Sequence, residues 1–227
     1  LSQRMAKAYC QQYLQVLPGA AVDVMGLARK MVQSGSNELA RGMQSGQWPA
    51  DVGRQLADVQ KHFALLNQLT AAPATQTALV VAASEQADRT LLVAQTVTES
   101  IEKMAQAPSA RLVNLAGRQR MLSQRLAKNY FLNAAKVESK VVQAQLVADA
   151  ADFRQALQTL KAAPVSTPAI RSELELADSQ WLFFDSALRR PADDAGLSAV
   201  ATTSERLLGV MDKLTSLYEA ALREVLG

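Results

Sequence analysis

The sequence is poor in the residues from which catalytic and metal sites are usually built. Its 227 residues include one cysteine, Cys10, and one histidine, His62. A single cysteine excludes a disulfide within the chain and a thiolate metal cluster, and a lone histidine cannot form a histidine-based metal site. His62 shares a mostly apolar stripe with Leu65, Leu66 and Leu69, which favours packing over catalysis. No nucleophile–base pair stands out either, so the sequence predicts no enzyme, no metal site and no cofactor.

Aromatic residues, glycine, proline and long apolar runs are also scarce. Aromatics make up 5% of the chain, with 10 glycines and 7 prolines, whereas 49% of the residues are hydrophobic. This composition favours long helices with few turns. No apolar run approaches the roughly 18 residues of a membrane span. The net charge is only +3, and no basic run is interleaved with aromatics, so nucleic acid is not an expected partner.

The chain repeats itself. The stretches "LSQRMAKAYC" (1–10) and "LSQRLAKNYF" (122–131) share seven of ten residues at an offset of 121. Two weaker matches, at offsets of 91 and 90, pair 57–73 with 148–164 and 87–92 with 177–182. Repetition at about half the chain length predicts two copies of one unit.

The repeats predict two domains, at residues 1–107 and 108–227. Because the offset falls between the matches, the first copy is expected to carry an insertion of about 30 residues near 18–47, the least regular part of the chain. Only the second copy has "LVNLAGRQRM" ahead of its "LSQR". The first copy is therefore expected to be truncated at its N-terminus, and a signal peptide is expected to have been lost with the missing residues.

Breaks at proline, glycine and capping residues predict four helices in each copy. Pro49 and Pro168 suit the first position of a helix, and Asp193 and Asp194 can cap the last helix. Neither glycine nor proline marks the turn near Val137, so one continuous helix over 109–163 is an alternative. The predicted helices lie near 1–17, 20–45, 49–71, 75–106, 109–136, 138–163, 168–189 and 193–226. Four helices per copy with short loops predict an all-α fold of two up-and-down antiparallel helical bundles in tandem.

The stretch "LAGRQRMLSQRLAKNY" (115–130) places three arginines on one of these helices. On a wheel of 100° per residue, Arg120 falls in the same sector as the leucines and alanines. Gln119 and Ser123 share that sector, whereas Arg118 and Arg125 fall on the opposite side. The wheel therefore predicts one inward arginine, Arg120, and two arginines that serve the rim or surface ion pairs.

An inward arginine must have its charge compensated. A carboxylate such as Glu205 or Asp178 can pair with Arg120, or its stem can lie on the apolar face with its head in water. A bound anion is the other solution, because the guanidinium fork offers two parallel hydrogen bonds to a planar oxyanion. Gly117, one turn back, would let another backbone come close. The residues alone do not decide between these alternatives.

The motif "NLAGRQRMLSQRLAKNYF" (114–131) resembles the signature of the PilJ-type domain. That domain is the N-terminal periplasmic sensor of type IV pilus methyl-accepting chemotaxis transducers, and it is related to the NarX/NarQ nitrate/nitrite sensor domains. The NarX/NarQ domains carry a similar stretch on their first helix, with a Gly-x-x-Arg-Met core that corresponds here to residues 117–121. "LSQRMAKAYC" resembles the tail of the same motif, so the resemblance extends more weakly to the first copy. The insertion departs from the compact family pattern.

The resemblance implies a periplasmic sensor-type protein that binds a small oxyanion such as nitrate or nitrite. In nitrate-sensing relatives the anion lies between the first helices of two subunits and is held by the arginine of the core, which corresponds here to Arg120. Gly117, Gln119 and Ser123 are expected to support the site, with Arg118 nearby. A membrane receptor or a homodimer partner is expected to bind the chain. The alternative is a ligand-free helical interaction or scaffold protein of a type IV pilus or chemotaxis system.

Overall fold

The computed structural model describes residues 1–46, 48–105, 108–137, 140–164 and 167–226. Within these ranges the chain forms eight α-helices and no strand, which confirms the predicted all-α fold. The helices are α1 (Ser2–Tyr13), α2 (Pro18–Gln44), α3 (Ala50–Leu69), α4 (Thr77–Ala105), α5 (Pro108–Ala134), α6 (Lys140–Lys161), α7 (Pro168–Leu188) and α8 (Asp194–Leu226). In the described part of the chain, no helix is both long enough and apolar enough to cross a membrane.

The alternative of one helix over 109–163 is wrong, because α5 ends at Ala134 and α6 begins at Lys140. Lys136 adopts a left-handed conformation with φ of 57°. The Val137 amide then donates to the Leu132 carbonyl at 3.0 Å, as in a Schellman motif. This position has no glycine, so composition alone did not reveal the helix end. The predicted helix start at 138 and helix end at 106 lie outside the described residues.

The same terminator closes α1. Gln15 has a φ of 56°, and the Val16 amide donates to the Gln11 carbonyl at 2.9 Å. Gln15 and Lys136 are separated by the same 121 residues as the repeated motifs. The structural repeat therefore extends beyond the stretch of sequence identity, to the end of the first helix in each unit.

Two of the predicted helix starts are confirmed, and a third differs. Pro168 occupies the first turn of α7, and the Thr167 hydroxyl oxygen accepts from the Ile170 amide at 3.2 Å. The Asp193 carboxylate accepts from the Gly196 amide at 2.8 Å and so caps α8. Pro49 lies one residue before α3, as its N-cap, and not at the first helical position.

The helix predicted near 20–45 is confirmed, so the segment around it is not the irregular part that its glycine content predicted. Most of it is α2, a single helix of 27 residues. The glycines in its first half do not interrupt the helix, because its buried face carries small and apolar residues at helical spacing. These buried residues are Ala21, Met25, Ala28 and Val32. The expectation from glycine content was wrong, and α2 is the second of four helices in its unit.

The first compact unit comprises Leu1–Met104. Its helix α2 packs against α1 and α3, and α3 and α4 share a core of Val52, Leu56, Val59 and Val97. The Gln3 amide donates to the Asp88 carboxylate at 2.9 Å, which ties α1 to α4.

The second compact unit comprises Ala105–Gly227. Helix α5 packs against α6, α7 and α8, and α7 packs against both α6 and α8. Phe153 of α6 stacks on Trp181 of α7 with ring centroids 4.3 Å apart. The Tyr218 hydroxyl of α8 donates to the Leu160 carbonyl at 3.1 Å. These contacts close α5–α8 into a four-helix bundle around the apolar core.

A buried tyrosine fastens α5 to the loop before α8. The Tyr130 hydroxyl donates to the carbonyls of Arg190 and Pro191, each at 3.0 Å. Burial raises the pKa of the Tyr130 phenol, and Asp193 raises it further although Arg190 opposes the shift. The phenol therefore stays protonated as a donor at neutral pH.

The first unit has a corresponding contact. The Tyr9 hydroxyl approaches the carbonyl of Pro73, in the loop before α4, at 3.5 Å. Tyr9 and Tyr130 occupy the same position of the repeated motif. Each therefore reaches the loop before the fourth helix of its own unit, so by this contact α4 corresponds to α8. The weaker sequence match between residues 57–73 and 148–164 gives a different correspondence, because it aligns α3 with α6.

Replacement of Gly196 by alanine is expected to lower the free energy of unfolding by about 1–3 kcal/mol, as overpacking does. A Cβ there would lie 2.0 Å from the Pro191 carbonyl oxygen and 2.9 Å from the Tyr130 hydroxyl. Gly209 on the same helix has nothing within 4 Å of an added Cβ. Gly209→Ala is thus the matched control, and it should stabilise by roughly 0.5–1 kcal/mol through helix propensity. Urea denaturation measures both, and equal effects would contradict the packing argument.

Candidate ligand site on the first helix of the second unit

Three of the four arginines of α5, those of the stretch 115–130, meet aspartates from neighbouring helices. Arg120 Nη1 lies 2.6 Å from Asp212 Oδ1 of α8. Arg118 Nη2 lies 3.1 Å from Asp152 Oδ2 of α6. The third, Arg125, forms a two-pronged ion pair with Asp149 of α6. The arginines differ in how much water reaches each pair, and this difference decides what each pair can do.

Arg120 is not the inward arginine that the wheel predicted. Its side chain is 39% exposed, and that of Asp212 is 55% exposed. The carboxylate alternative for Arg120 describes this contact, but neither of the carboxylates named for it is the one observed. Asp178 instead pairs with Lys161.

The enclosed arginine is Arg125, which the wheel placed on the outer side. Its side chain is 16% exposed and that of Asp149 is 3% exposed. Arg125 Nε donates to Asp149 Oδ2 at 2.7 Å, while Nη2 donates to the other oxygen. This bidentate geometry satisfies both oxygens of a carboxylate that has almost no access to water. The prediction that Arg125 serves the rim or a surface ion pair is wrong.

Arg118 agrees with the prediction of a surface ion pair. Its side chain is 47% exposed, and that of Asp152 is 54% exposed. The pair lies toward α6, whereas Arg120 reaches α8. Arg118 and Arg120 therefore do not converge on one point within this unit.

Gly117 lies beneath the guanidinium of Arg120. A Cβ at Gly117 would lie 3.5 Å from Arg120 Nη2 and 4.0 Å from Thr215 Cγ2 of α8. These are ordinary van der Waals distances. The neighbours are side-chain atoms, so the expected close approach of another backbone is not seen here. Gly117 instead leaves open the face of the guanidinium that lies over α5.

Gln119 and Ser123 are fully buried and bonded to their own helix. Gln119 Nε2 donates to the Leu115 carbonyl at 2.9 Å, and the Ser123 hydroxyl donates to the Arg120 carbonyl at 2.8 Å. Gln119 Oε1 has no hydrogen-bond partner among the described residues. The structure thus brings together Arg120 and Gly117 of the predicted site residues, and directs Arg118, Gln119 and Ser123 elsewhere.

The sequence reasoning missed the aspartates and a buried lysine. Asp149, Asp152 and Asp212 complete the ion pairs, but no local pattern around them indicates their partners. Lys128 is completely buried, as is Lys7 at the equivalent position of the first unit. Their presence in both copies of the motif was a signal that the position is structurally constrained.

The seam between α5 and α8 is antiparallel, and polar contacts occur at three points along it. Arg120 contacts Asp212, and Gln124 Nε2 donates to the Ser204 carbonyl at 3.1 Å. Further along α5, Tyr130 contacts the loop that precedes α8. The seam is buried at the Gln124 and Tyr130 end and open to water at the Arg120 end. Within the described residues no group of three or more metal-ligating side chains is present.

The fold and this helix define the second unit as an antiparallel four-helix bundle with an arginine-bearing first helix. The family model described as "Type IV pili methyl-accepting chemotaxis transducer N-term" (PilJ) matches residues 103–221, slightly more than half of the chain. The chain therefore belongs to the PilJ family, which confirms the resemblance of the motif. The family is one of chemotaxis sensor domains, typically periplasmic or extracellular, and in general not enzymes. Comparisons with curated proteins and with solved structures found no match.

The two kinds of arginine pair should differ sharply in their effect on stability. Arg125→Ala leaves Asp149 buried without its partner, so it is expected to lower the free energy of unfolding by about 3–5 kcal/mol. Arg118→Ala, on the same helix, removes an exposed pair and should cost about 0–1 kcal/mol. Urea denaturation of both variants measures the difference. A cost for Arg125→Ala no larger than that for Arg118→Ala would contradict the burial argument.

Proposed function

We propose that the chain is the ligand-sensing part of a periplasmic chemotaxis transducer and that it binds a small oxyanion, of the nitrate or nitrite class, at Arg120. The carrying observation is that the guanidinium of Arg120 is accessible to water and that Arg120 is the arginine of the sequence at residues 117–121, which resembles the Gly-x-x-Arg-Met core of nitrate-sensing relatives. Family membership supports the sensor role. The accessible guanidinium supports the binding of an anion at Arg120.

The chemistry of the guanidinium fits this ligand class. Its planar fork can donate two parallel hydrogen bonds to one oxyanion. Only Nη1 contacts Asp212, and Gly117 places no side chain against Nη2. Arg125 is a poorer candidate, because its Nε and Nη2 are both engaged with buried Asp149.

A single arginine with one aspartate in contact is an incomplete anion site. We propose that a second protein surface, from a homodimer partner or a membrane receptor, completes the site over the exposed face of Arg120. A net positive contribution from that surface would offset the charge of Asp212.

The rival function is that of a helical interaction module without a small ligand. It is favoured by one observation, that Arg118, Arg120 and Arg125 already meet aspartates. In that case Arg120 and Asp212 are a surface pair, and recognition resides in the exposed faces of the bundle.

Titration calorimetry and thermal unfolding with nitrate and nitrite test the proposal. A ligand that binds only the folded chain should raise the free energy of unfolding by about 2.7 kcal/mol at a hundredfold excess over its Kd. Arg120→Ala should abolish this effect. Arg118→Ala is the matched control, because it removes another half-exposed α5 arginine, and it should retain binding. Chloride at equal ionic strength controls for general salt effects.

The outcomes separate the candidate functions. Stabilisation that disappears in Arg120→Ala and persists in Arg118→Ala supports the proposal. Stabilisation that survives Arg120→Ala keeps an anion sensor but removes this site. No difference between nitrate, nitrite and chloride, at protein concentrations from dilute to the range where dimers form, favours the interaction module.

A further inference from the structure

We infer that Asp212 is a built-in competitor for the anion, so that its carboxylate occupies Arg120 when no ligand is bound and must leave when one binds. This inference rests on the proposed function of Arg120. It goes further by naming a residue on another helix that sets the affinity and links ligand binding to the contact between α5 and α8.

The geometry gives Asp212 the position that the ligand would need. Its Oδ1 lies 2.6 Å from Arg120 Nη1, within the range of a charge-assisted hydrogen bond. A carboxylate and a small planar oxyanion offer the same kind of acceptor oxygens to a guanidinium. The two therefore compete for the same donors.

The exposure of the pair makes it displaceable. Both side chains are more than a third exposed, and such pairs shift an equilibrium by about two- to fivefold at most. The Arg125–Asp149 pair is enclosed and bidentate, so opening it would leave buried charges uncompensated. Of the two pairs, only Arg120–Asp212 can exchange its carboxylate for a ligand from solution at small cost.

Displacement of Asp212 has a structural consequence. Arg120 and Asp212 lie on different helices of the bundle, 92 residues apart in the chain. Their separation removes a direct polar link between α5 and α8 at the exposed end of the seam. The Tyr130 contacts at the other end remain. Anion binding would therefore loosen one end of the α5–α8 contact while the other end stays fastened.

Replacement of Asp212 by asparagine tests the inference by calorimetric titration with nitrate and nitrite. The variant removes both the competing ion pair and the repulsion between the carboxylate and the anion, which is worth about fivefold at 4 Å in water. We expect Asp212→Asn to bind about three- to twentyfold more tightly than the wild type. Asp152→Asn is the matched control, since it releases the half-exposed Arg118 in the same way, and its affinity should stay within about twofold.

Asp212→Ser serves as a second variant, because serine cannot accept from Arg120 in the geometry of an aspartate. Tighter binding by both Asp212 variants, or binding by them where the wild type shows none, supports the inference. Unchanged or weaker binding by both, with binding still abolished in Arg120→Ala, overturns the competitor role and leaves the proposed function standing. No binding by the wild type or by either Asp212 variant overturns both.

Discussion

The buried ion pair between Arg125 and Asp149 fixes how α5 lies against α6. Both oxygens of the nearly inaccessible carboxylate are satisfied by one guanidinium, so a slip of one helical turn, about 5.4 Å, would leave two charges uncompensated inside the bundle. Asn129 donates to Gln145 at 3.2 Å in the same antiparallel register, and Arg118 meets Asp152 further along. Once this register is set, the rotation of α5 about its axis is set as well. That rotation turns Arg120 toward α8.

The seam between α5 and α8 is consequently uneven. At one end Tyr130 donates to two carbonyls and Gly196 leaves no room for a side chain. At the other end a half-exposed ion pair is the polar link. Local opening is easiest where the polar contacts between elements are most exposed to solvent. The uneven seam therefore concentrates its capacity for change around Arg120.

The sequence predicted the helices well and the side-chain pairing poorly, for different physical reasons. Helix ends depend on local signals such as Pro168, Thr167 and Asp193, which lie within a few residues of the effect. Ion pairs depend on partners far along the chain, and Asp212 is 92 residues from Arg120. The wheel also assumed one buried face, whereas α5 contacts three other helices of its bundle. The part of the α5 surface that faces three helices is wide. It includes Arg125, which is therefore enclosed, and Arg120 lies at its edge.

The repeated motif separates what the architecture needs from what a ligand would need. Ser2 and Ser123, Gln3 and Gln124, and Lys7 and Lys128 are each buried at equivalent positions, and both tyrosines reach the loop before a fourth helix. Their burial in both units indicates a role in packing inside each unit. Arg120 lies ahead of the repeated stretch, on an accessible edge. The repeat therefore explains the scaffold and not the proposed site, and the proposed anion binding depends on the exposure and chemistry of Arg120 and on the motif that contains it.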